Sequence, residues 1–262
     1  MNFLKNKFDL IISIGSDCAC TSYLRRCNLQ YNSYPFDWLT NAPFENRIEL
    51  LVNDFKDFMN FDDLEIMQKP TQINADSGHD YYMNKRNNFY FWHDFPAKTS
   101  LIDSFQEINE KYKRRIKRLY DEINQSEKIL FVWLSHSKNH NLYEILSEYK
   151  KLKDKFNNKD VFLLIIENSE KETKEEYENN HVLIIHQDTI SNDKKHHYDP
   201  TMGNKTNNLR IFKKIKLKTN IQQQFKRLIY KIIMVFISLI PYRKKRQSLK
   251  SKINMLFFHA KL

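Results

Sequence analysis

The chain has 262 residues, of which 41% are hydrophobic and 29% are charged, and its formal net charge is +11. This composition excludes a disordered or fibrous protein, and the length fits one packed domain with an extension. The charge is unevenly placed: residues 200–262 hold 16 of the 43 Lys and Arg and no Asp or Glu, which leaves 27 basic and 32 acidic side chains, a net −5, in residues 1–199. We therefore predict an α/β domain over 1–206 and a basic amphipathic tail over 207–262.

The first segment places two lysines before a short apolar run, which enters a Gly-Ser-Asp turn without a small-residue cleavage site. No secretory signal is therefore expected. The three cysteines show no disulfide pattern, which fits a reducing cytoplasm. Cys18-Ala19-Cys20 has no second pair at a zinc spacing, so no metal site is predicted.

A strand, a tight turn and a helix follow one another over residues 8–28. The apolar residues 10–14 predict a short buried strand, and the helix begins near Cys18. The positive end of the helix dipole favours a thiolate at Cys18, which is the setting of a nucleophilic cysteine. The alternative is a small buried cysteine that fills the corner between strand and helix. The turn and the amides around Cys18 are candidates for an oxyanion hole, formed by Gly15, Ser16 and Asp17.

The segment Ser33-Tyr34-Pro35-Phe36-Asp37-Trp38 places one carboxylate and large aromatic rings on a rigid proline turn. Asp37 could orient a catalytic imidazole, as the third member of a triad does. Alternatively, Asp37 caps the turn that follows Pro35. The sequence favours the second role slightly and leaves both open.

The remaining elements alternate. Helices are predicted over 43–60, 100–125, 139–156 and 171–178, strands over 88–92, 128–134, 160–166, 181–185 and 211–217, and a long loop over 61–88. Strands that are apolar throughout and alternate with helices predict a largely parallel open sheet covered by helices, with a basic helical C-terminal extension. Sites in such sheets lie at the carboxyl ends of the strands. Cys18, His93 and His136 each follow a predicted strand, so we expect them to share one rim.

A cysteine nucleophile needs a nearby imidazole that takes its proton and later returns it. His93 is the preferred base, with Asp94 beside it, and His136 is the rival base. His196 and His197 with Asp199 lie in a polar stretch without a third ligand at a suitable spacing, which favours a solvated loop. No metal and no cofactor are expected.

These segments resemble, in the same order, a family of bacterial papain-like cysteine peptidases. The resemblance covers roughly residues 8–167 and rests mainly on the GSDC turn, the PFDW segment and the HDF motif at 93–95; weaker similarity occurs at 53–58, 112–115 and 129–132. It implies peptidase chemistry through a thioester, with Cys18 as nucleophile and His93 as base. Papain itself is not built from a sheet with alternating strands and helices. The fold class predicted here therefore rests on the alternation of strands and helices in this sequence and not on the resemblance.

The tail contains an apolar run, Ile232–Ile240, that is too short to span a bilayer. Basic residues flank this run: Lys226, Arg227, Arg243, Lys244, Lys245 and Arg246. This pattern is typical of a helix that lies on an anionic membrane surface. The alternative is a helix docked on the domain, and nucleic acid is the least favoured partner because it would not require so apolar a segment.

Together these observations predict a cytoplasmic enzyme attached peripherally to the inner membrane. Its reaction would be hydrolysis or acyl transfer on a lipid-linked glycan or another acyl substrate, in the biosynthesis of surface polysaccharide. The alternative is a non-catalytic partner protein of a membrane-associated glycan-assembly complex, in which Cys18 is structural.

Overall fold

A computed structural model describes residues 2–68, 78–136, 140–190, 203–219, 221–242, 245–246, 248–249 and 252–253. Within these residues the strands are β1 (Lys7–Phe8), β2 (Leu10–Ser13), β3 (Leu39–Thr40), β4 (Leu64–Gln68), β5 (His79–Asn84), β6 (Phe89–Pro96), β7 (Lys128–Leu134), β8 (Asp160–Asn168), β9 (Thr173–Tyr177), β10 (Val182–Gln187) and β11 (Lys216–Leu217). The helices are α1 (Cys18–Arg26), α2 (Phe44–Val52), α3 (Leu101–Gln125), α4 (Leu142–Lys155), α5 (Lys205–Phe212) and α6 (Ile221–Ser238). The predicted α/β class is confirmed.

The central sheet has five strands in the order β2-β7-β8-β10-β9. The first four run parallel, and β9 runs antiparallel along β10. The carboxyl ends of β2, β7, β8 and β10 therefore meet at one edge, which we call the rim. A short separate pair of parallel strands, β1 with β11, connects the beginning of the domain to the segment that follows α5.

Both faces of the central sheet are buried. Ile129, Phe131 and Trp133 of β7 belong to one apolar cluster, together with side chains of α2, α3 and α4. The alternate residues of β7 belong to a second cluster, together with side chains of α1 and α5. Burial on both faces explains why β7 and β8 are apolar throughout their length.

A second sheet is antiparallel, with the order β3-β6-β5-β4. It contains β4 and β5, so the long loop predicted over 61–88 is wrong in part. The sequence hides these strands because buried polar residues interrupt their apolar pattern; Asn84, for example, is fully buried and donates to the backbone oxygen of Phe58 at 2.9 Å.

Two further predictions are wrong in the last third of the domain. Residues 171–178, predicted as a helix, contain β9, which pairs with the otherwise open edge of β10. Residues 211–217, predicted as a strand, contain the end of α5 and the short β11. The boundary predicted at 206/207 falls inside α5, whose Phe212 is fully buried and stacks on Tyr23 of α1.

The tail forms α6, and its exposed apolar side chains share one stripe at helical spacing, whereas Ile237 is buried. The exposed members of this stripe are Leu228, Ile232, Val235, Phe236 and Leu239. Among the described residues, no helix combines the length and apolar character needed to cross a membrane.

Candidate functional site

The turn between β2 and α1 is held close to the end of β7. A Cβ atom on Gly15 would lie 2.5 Å from Cβ of Cys20 and 3.2 Å from the backbone nitrogen of Leu134, so this position requires glycine. Ser16 donates its backbone N–H and its hydroxyl to the backbone oxygen of Leu134, at 3.1 and 3.0 Å. The turn is therefore fixed to the rim.

Asp17 caps α1 by accepting from the backbone N–H of Ala19 at 2.8 Å. Cys18 is consequently the first residue of the helix, where backbone N–H groups lack partners within the helix, and it is half-buried. The two other cysteines differ in setting: burial raises the pKa of the Cys20 thiol to about 12 and also raises the pKa of Cys27. Position and access thus distinguish Cys18 as the candidate nucleophile.

Arg47 of α2 supports the turn from inside. Its guanidinium donates to the backbone oxygens of Ser16 at 2.9 Å, Ala42 at 3.1 Å and Leu39 at 3.3 Å. The side chain is fully buried, and burial lowers its pKa to about 9. The buried cation therefore connects α2, β3 and the Cys18 turn.

His136 lies at the rim directly beyond β7. Both of its ring nitrogens are buried, and neither has a hydrogen-bond partner among the described residues. Burial lowers the pKa of His136, while the nearby Asp17 acts in the opposite direction. A neutral imidazole with unpaired nitrogens can accept a proton.

Asp17 faces His136 in return. Burial raises the pKa of the Asp17 carboxyl, and the opposing influences are His136, the Ala19 N–H and Arg47. The placement itself follows from the backbone: Ser16 is bonded to Leu134, two residues before His136, so the Cys18 turn and His136 meet at the end of β7.

A second histidine, His140, lies at the other side of the rim. The carboxylate of Glu167, at the end of β8, is fully buried and binds His140 twice, through its backbone nitrogen at 2.9 Å and its Nδ1 at 2.5 Å. The Nε2 of His140 lies 3.9 Å from a carboxylate oxygen of Glu45. Sequence reasoning missed this pair. Its only signal is a carboxylate at the end of an otherwise apolar strand.

The structure places His93 within β6, which belongs to the second sheet. The shared rim predicted for His93 is therefore wrong, because the strand continues through His93 to Pro96. Its ring contacts His79 and Trp38, and Trp38 also packs under Arg25 in the last turn of α1. Partial desolvation lowers the pKa of His93, and Asp94 opposes this effect.

The two candidate carboxylates are each engaged by other side chains. Asp94 is buried and accepts from the Lys111 ammonium at 2.6 Å and the Tyr112 hydroxyl at 2.9 Å. Asp37 accepts from the Tyr34 backbone N–H at 3.0 Å, which is the turn cap that the sequence leaves open as its second role. Neither carboxylate has a contact with His93 or His136 among these bonds.

Several sequence-predicted residues lie outside the described residues: Arg243, Lys244, His196, His197 and Asp199. Lys226 and Arg227 fall within α6, and Lys245 and Arg246 follow it. In the part of the chain that the structure describes, no group of three or more His, Cys, Asp or Glu side chains is placed to hold a metal ion.

Comparison with known proteins agrees with the motif resemblance. A family model described as "Putative papain-like cysteine peptidase (DUF1796)" matches residues 9–171, which is more than half of the chain. An uncharacterized protein of Acanthamoeba polyphaga mimivirus is 28% identical over 134 residues, which cover 47% of this chain and 60% of the viral protein. No solved structure matches. The bacterial origin expected from the resemblance stays a prediction, since this relative is viral.

Proposed function

Because the chain belongs to the family described as "Putative papain-like cysteine peptidase (DUF1796)", we propose that it is a cysteine-nucleophile hydrolase in which Cys18 attacks an acyl carbon and His136 is the base. One observation carries this proposal. His136 has two buried nitrogens without described partners, and it interacts with the residue that precedes Cys18. This arrangement gives a nucleophile at a helix N-terminus and an adjacent proton acceptor, as thioester chemistry requires.

The reaction proceeds in two halves. Cys18 transfers its thiol proton to a ring nitrogen of His136, and the thiolate bonds to the carbonyl carbon of an amide or ester. The resulting oxyanion is stabilised by backbone N–H groups in the first turn of α1 other than that of Ala19, which donates to Asp17; the two donors of Ser16, which was predicted for this role, are bound to Leu134. Collapse breaks the bond to the leaving amine or alcohol, which takes the proton from the imidazolium and leaves a thioester on Cys18.

Water then resolves the thioester. His136 takes a proton from the water as its oxygen bonds to the acyl carbon, and the carbon–sulfur bond breaks to release the acid. The proton returns from His136 to the Cys18 thiolate. During both halves the Asp17 carboxylate, when ionised, stabilises the transient imidazolium.

His136 is favoured over His93 by its position. It shares the rim with the Cys18 turn, whereas the ring contacts of His93 lead to the opposite end of α1. Asp94 acts on His93 as Asp17 acts on His136, but among the described contacts neither His93 nor Asp94 reaches the Cys18 turn, and Asp37 binds other partners. The catalytic roles predicted for His93, Asp37 and Asp94 stay predictions that the following experiment separates.

Alkylation of Cys18 tests the proposal. At pH 7, iodoacetamide should label Cys18 faster than it labels the free thiol of glutathione, because the base and the helix terminus favour the thiolate. His136→Gln should slow this labelling about tenfold or more, whereas the matched variant His93→Gln should leave it within about twofold. Peptide mass spectrometry distinguishes Cys18 from buried Cys20. If Cys18 is labelled no faster than glutathione, the proposal loses its basis. If the His93→Gln substitution slows the labelling of Cys18, the base is His93 and not His136.

The pH dependence of this labelling has a defined direction. Burial lowers the pKa of His136, so its neutral form persists below the ordinary histidine value of about 6.5. As the pH falls, the labelling rate should therefore decline only below about pH 6.5, and His136→Gln should move this decline upward, toward the ordinary thiol pKa of about 8.5. A decline centred above pH 7 would contradict a base with a lowered pKa.

We propose further that α6 holds the domain at an anionic membrane. Its exposed apolar stripe includes Val235 and Phe236, and the surrounding residues 200–262 are basic without a single acid. Insertion of the stripe and attraction of the basic residues to anionic headgroups would act together. At such a surface the thioester could pass its acyl group to a hydroxyl of a lipid-linked glycan instead of to water. We therefore propose acyl transfer in the biosynthesis of surface polysaccharide as a reaction of the membrane-bound protein.

Vesicle sedimentation tests the anchor. The full chain should pellet with anionic vesicles and stay in solution with zwitterionic ones. Phe236→Asp should weaken pelleting strongly, because it places a charge in the apolar stripe, whereas an end at Lys218 should abolish pelleting and keep the far-ultraviolet circular dichroism of the domain. A full chain that stays in the supernatant with anionic vesicles would show that the membrane proposal is wrong.

A further inference from the structure

We infer that Gly203 is a positioning residue of the site: because it has no side chain, the backbone at Gly203 can lie against the His136 imidazole and fix the location of its nitrogens. This inference rests on the proposed role of His136 as base. It also extends the site beyond residues 9–171, the part of the chain that the family model matches.

The contact between Gly203 and His136 leaves no room for a methyl group. A Cβ atom on Gly203 would lie 2.7 Å from Cε1 and 3.1 Å from Nδ1 of His136, and 2.2 Å from the backbone oxygen of Thr189. Gly203 also has a φ of +57°, in the left-handed region that favours glycine. Both the backbone and the space therefore select glycine here.

The segment that carries Gly203 is tied to the rim. Asn204 donates its backbone N–H to the oxygen of Thr189 at 2.6 Å and its side-chain amide to Asp188 at 3.2 Å. Thr189 is fully buried, and its hydroxyl donates to the backbone oxygen of Ser135, the residue before His136, at 3.2 Å. Gly203 thus lies next to residues, Thr189 and Asn204, that are attached to the end of β7, where His136 also lies. We call Thr189, Gly203 and Asn204 the wall.

His136 is also restrained from the opposite direction. Ser135 donates its backbone N–H to Ile166 of β8 at 2.9 Å, and Glu167 binds the backbone nitrogen and Nδ1 of His140. Ser135, directly before His136, and His140, four residues after it, are therefore both anchored to the end of β8. An added methyl group at Gly203 would have to displace the imidazole, the backbone oxygen of Thr189, or both.

The chain offers a matched control for the substitution Gly203→Ala. Gly78 has a φ of +65°, yet a Cβ atom there would meet nothing within 4 Å. Gly78→Ala therefore carries a similar backbone cost without the contact to an imidazole. Any difference between the two variants reports the contacts of the added methyl group, with the His136 imidazole and with the backbone oxygen of Thr189, and not the backbone conformation; the NMR signal of His136 reports the first of these contacts.

Two measurements on the full chain would test the inference. The first follows the Cε1–H signal of His136 by NMR, identified by its loss in His136→Gln. The second follows the rate and pH profile of Cys18 alkylation. Gly203→Ala should shift the Cε1–H signal and slow alkylation about tenfold or more, because a small displacement of a catalytic group is costly, whereas Gly78→Ala should leave the signal unchanged and the rate within about twofold.

The outcomes separate this inference from the proposed function. If Gly203→Ala matches Gly78→Ala in both measurements while His136→Gln is slow, the positioning role is wrong and the base assignment stands. If His136→Gln labels at the normal rate, the base assignment fails, and the NMR signal alone decides whether Gly203 sets the environment of His136. Should Gly203→Ala not fold, Thr189→Val removes the hydroxyl bond to Ser135 at similar volume; an unchanged signal and rate in that variant would overturn the inference.

Discussion

Replacing Arg47 with methionine should lower the free energy of unfolding by about 3 kcal/mol or more. The substitution removes a fully buried guanidinium that donates to three backbone oxygens, and it leaves those oxygens without a donor. It also removes a cation that lies over the ring of Phe89 at 4.9 Å. Urea unfolding followed by circular dichroism at pH 7 measures the effect.

Arg86→Met is the matched control for this substitution. Arg86 pairs with Asp63 at 2.6 Å, but more than half of its side chain is exposed, and exposed ion pairs contribute little to stability. Equal losses in the two variants would contradict the role given to Arg47. A second readout concerns function: since Arg47 holds the oxygen of Ser16, the folded fraction of Arg47→Met should alkylate more slowly at Cys18.

Asp37→Ala should cost about 3–5 kcal/mol, because it removes a fully buried acceptor and leaves a partly buried cation unpaired. The Asp37 carboxylate accepts from Arg25 at 3.0 Å, Gln30 at 2.9 Å and Thr21 at 3.1 Å, besides the backbone of Tyr34. These bonds connect α1 to the turn that follows it. Denaturant melts of the variant and the parent chain measure the loss.

Asp121→Ala provides the comparison for Asp37. Asp121 forms an exposed pair with Lys117 one turn away on α3, which stabilises a helix by only about 0.3–0.5 kcal/mol. Asp37→Asn adds a test of function, since it keeps the shape of the side chain. If Asp37 only caps and connects, the acid limb of Cys18 labelling should stay in place in this variant, whereas a shifted limb would indicate that Asp37 orients the base.

The central sheet could be predicted from the sequence because burial on both faces gives a simple signal. β7 was predicted with its observed bounds, Lys128–Leu134, and β8 extends two residues beyond the predicted end at Ile166. The turn at Gly15 and the start of α1 at Cys18 could also be predicted, since each is determined by residues adjacent in the sequence. Local chemistry was sufficient for these features.

The second sheet and β9 could not be read in the same way. Asp80 and Asn84 are buried within β5, so the apolar alternation that marks a strand is interrupted there. Thr173–Tyr177 is rich in Lys and Glu, a composition typical of exposed helices, yet pairing with the open edge of β10 makes it a strand. In both cases a distant partner overrides the local pattern.

The candidate site shows the same limit. His136 was identified only as a rival to His93, because the sequence does not reveal that β6 joins a different sheet. The pair of His140 with Glu167 and the contact of Gly203 with His136 join residues that lie far apart in the chain. Such contacts follow from the order of strands in the sheet, which one sequence does not specify.

The pairing of β1 with β11 has a consequence for how the protein is made. Ribosomes release a chain from its N-terminus, yet Lys7 must wait for Lys216, and β2 must wait for β7, before either can form a ladder. The Cys18 turn cannot be fixed until Leu134 has emerged, and the wall beside His136 cannot form until Gly203 has emerged. If Cys18 is the nucleophile proposed above, it acquires its reactivity only when translation of the domain is nearly finished.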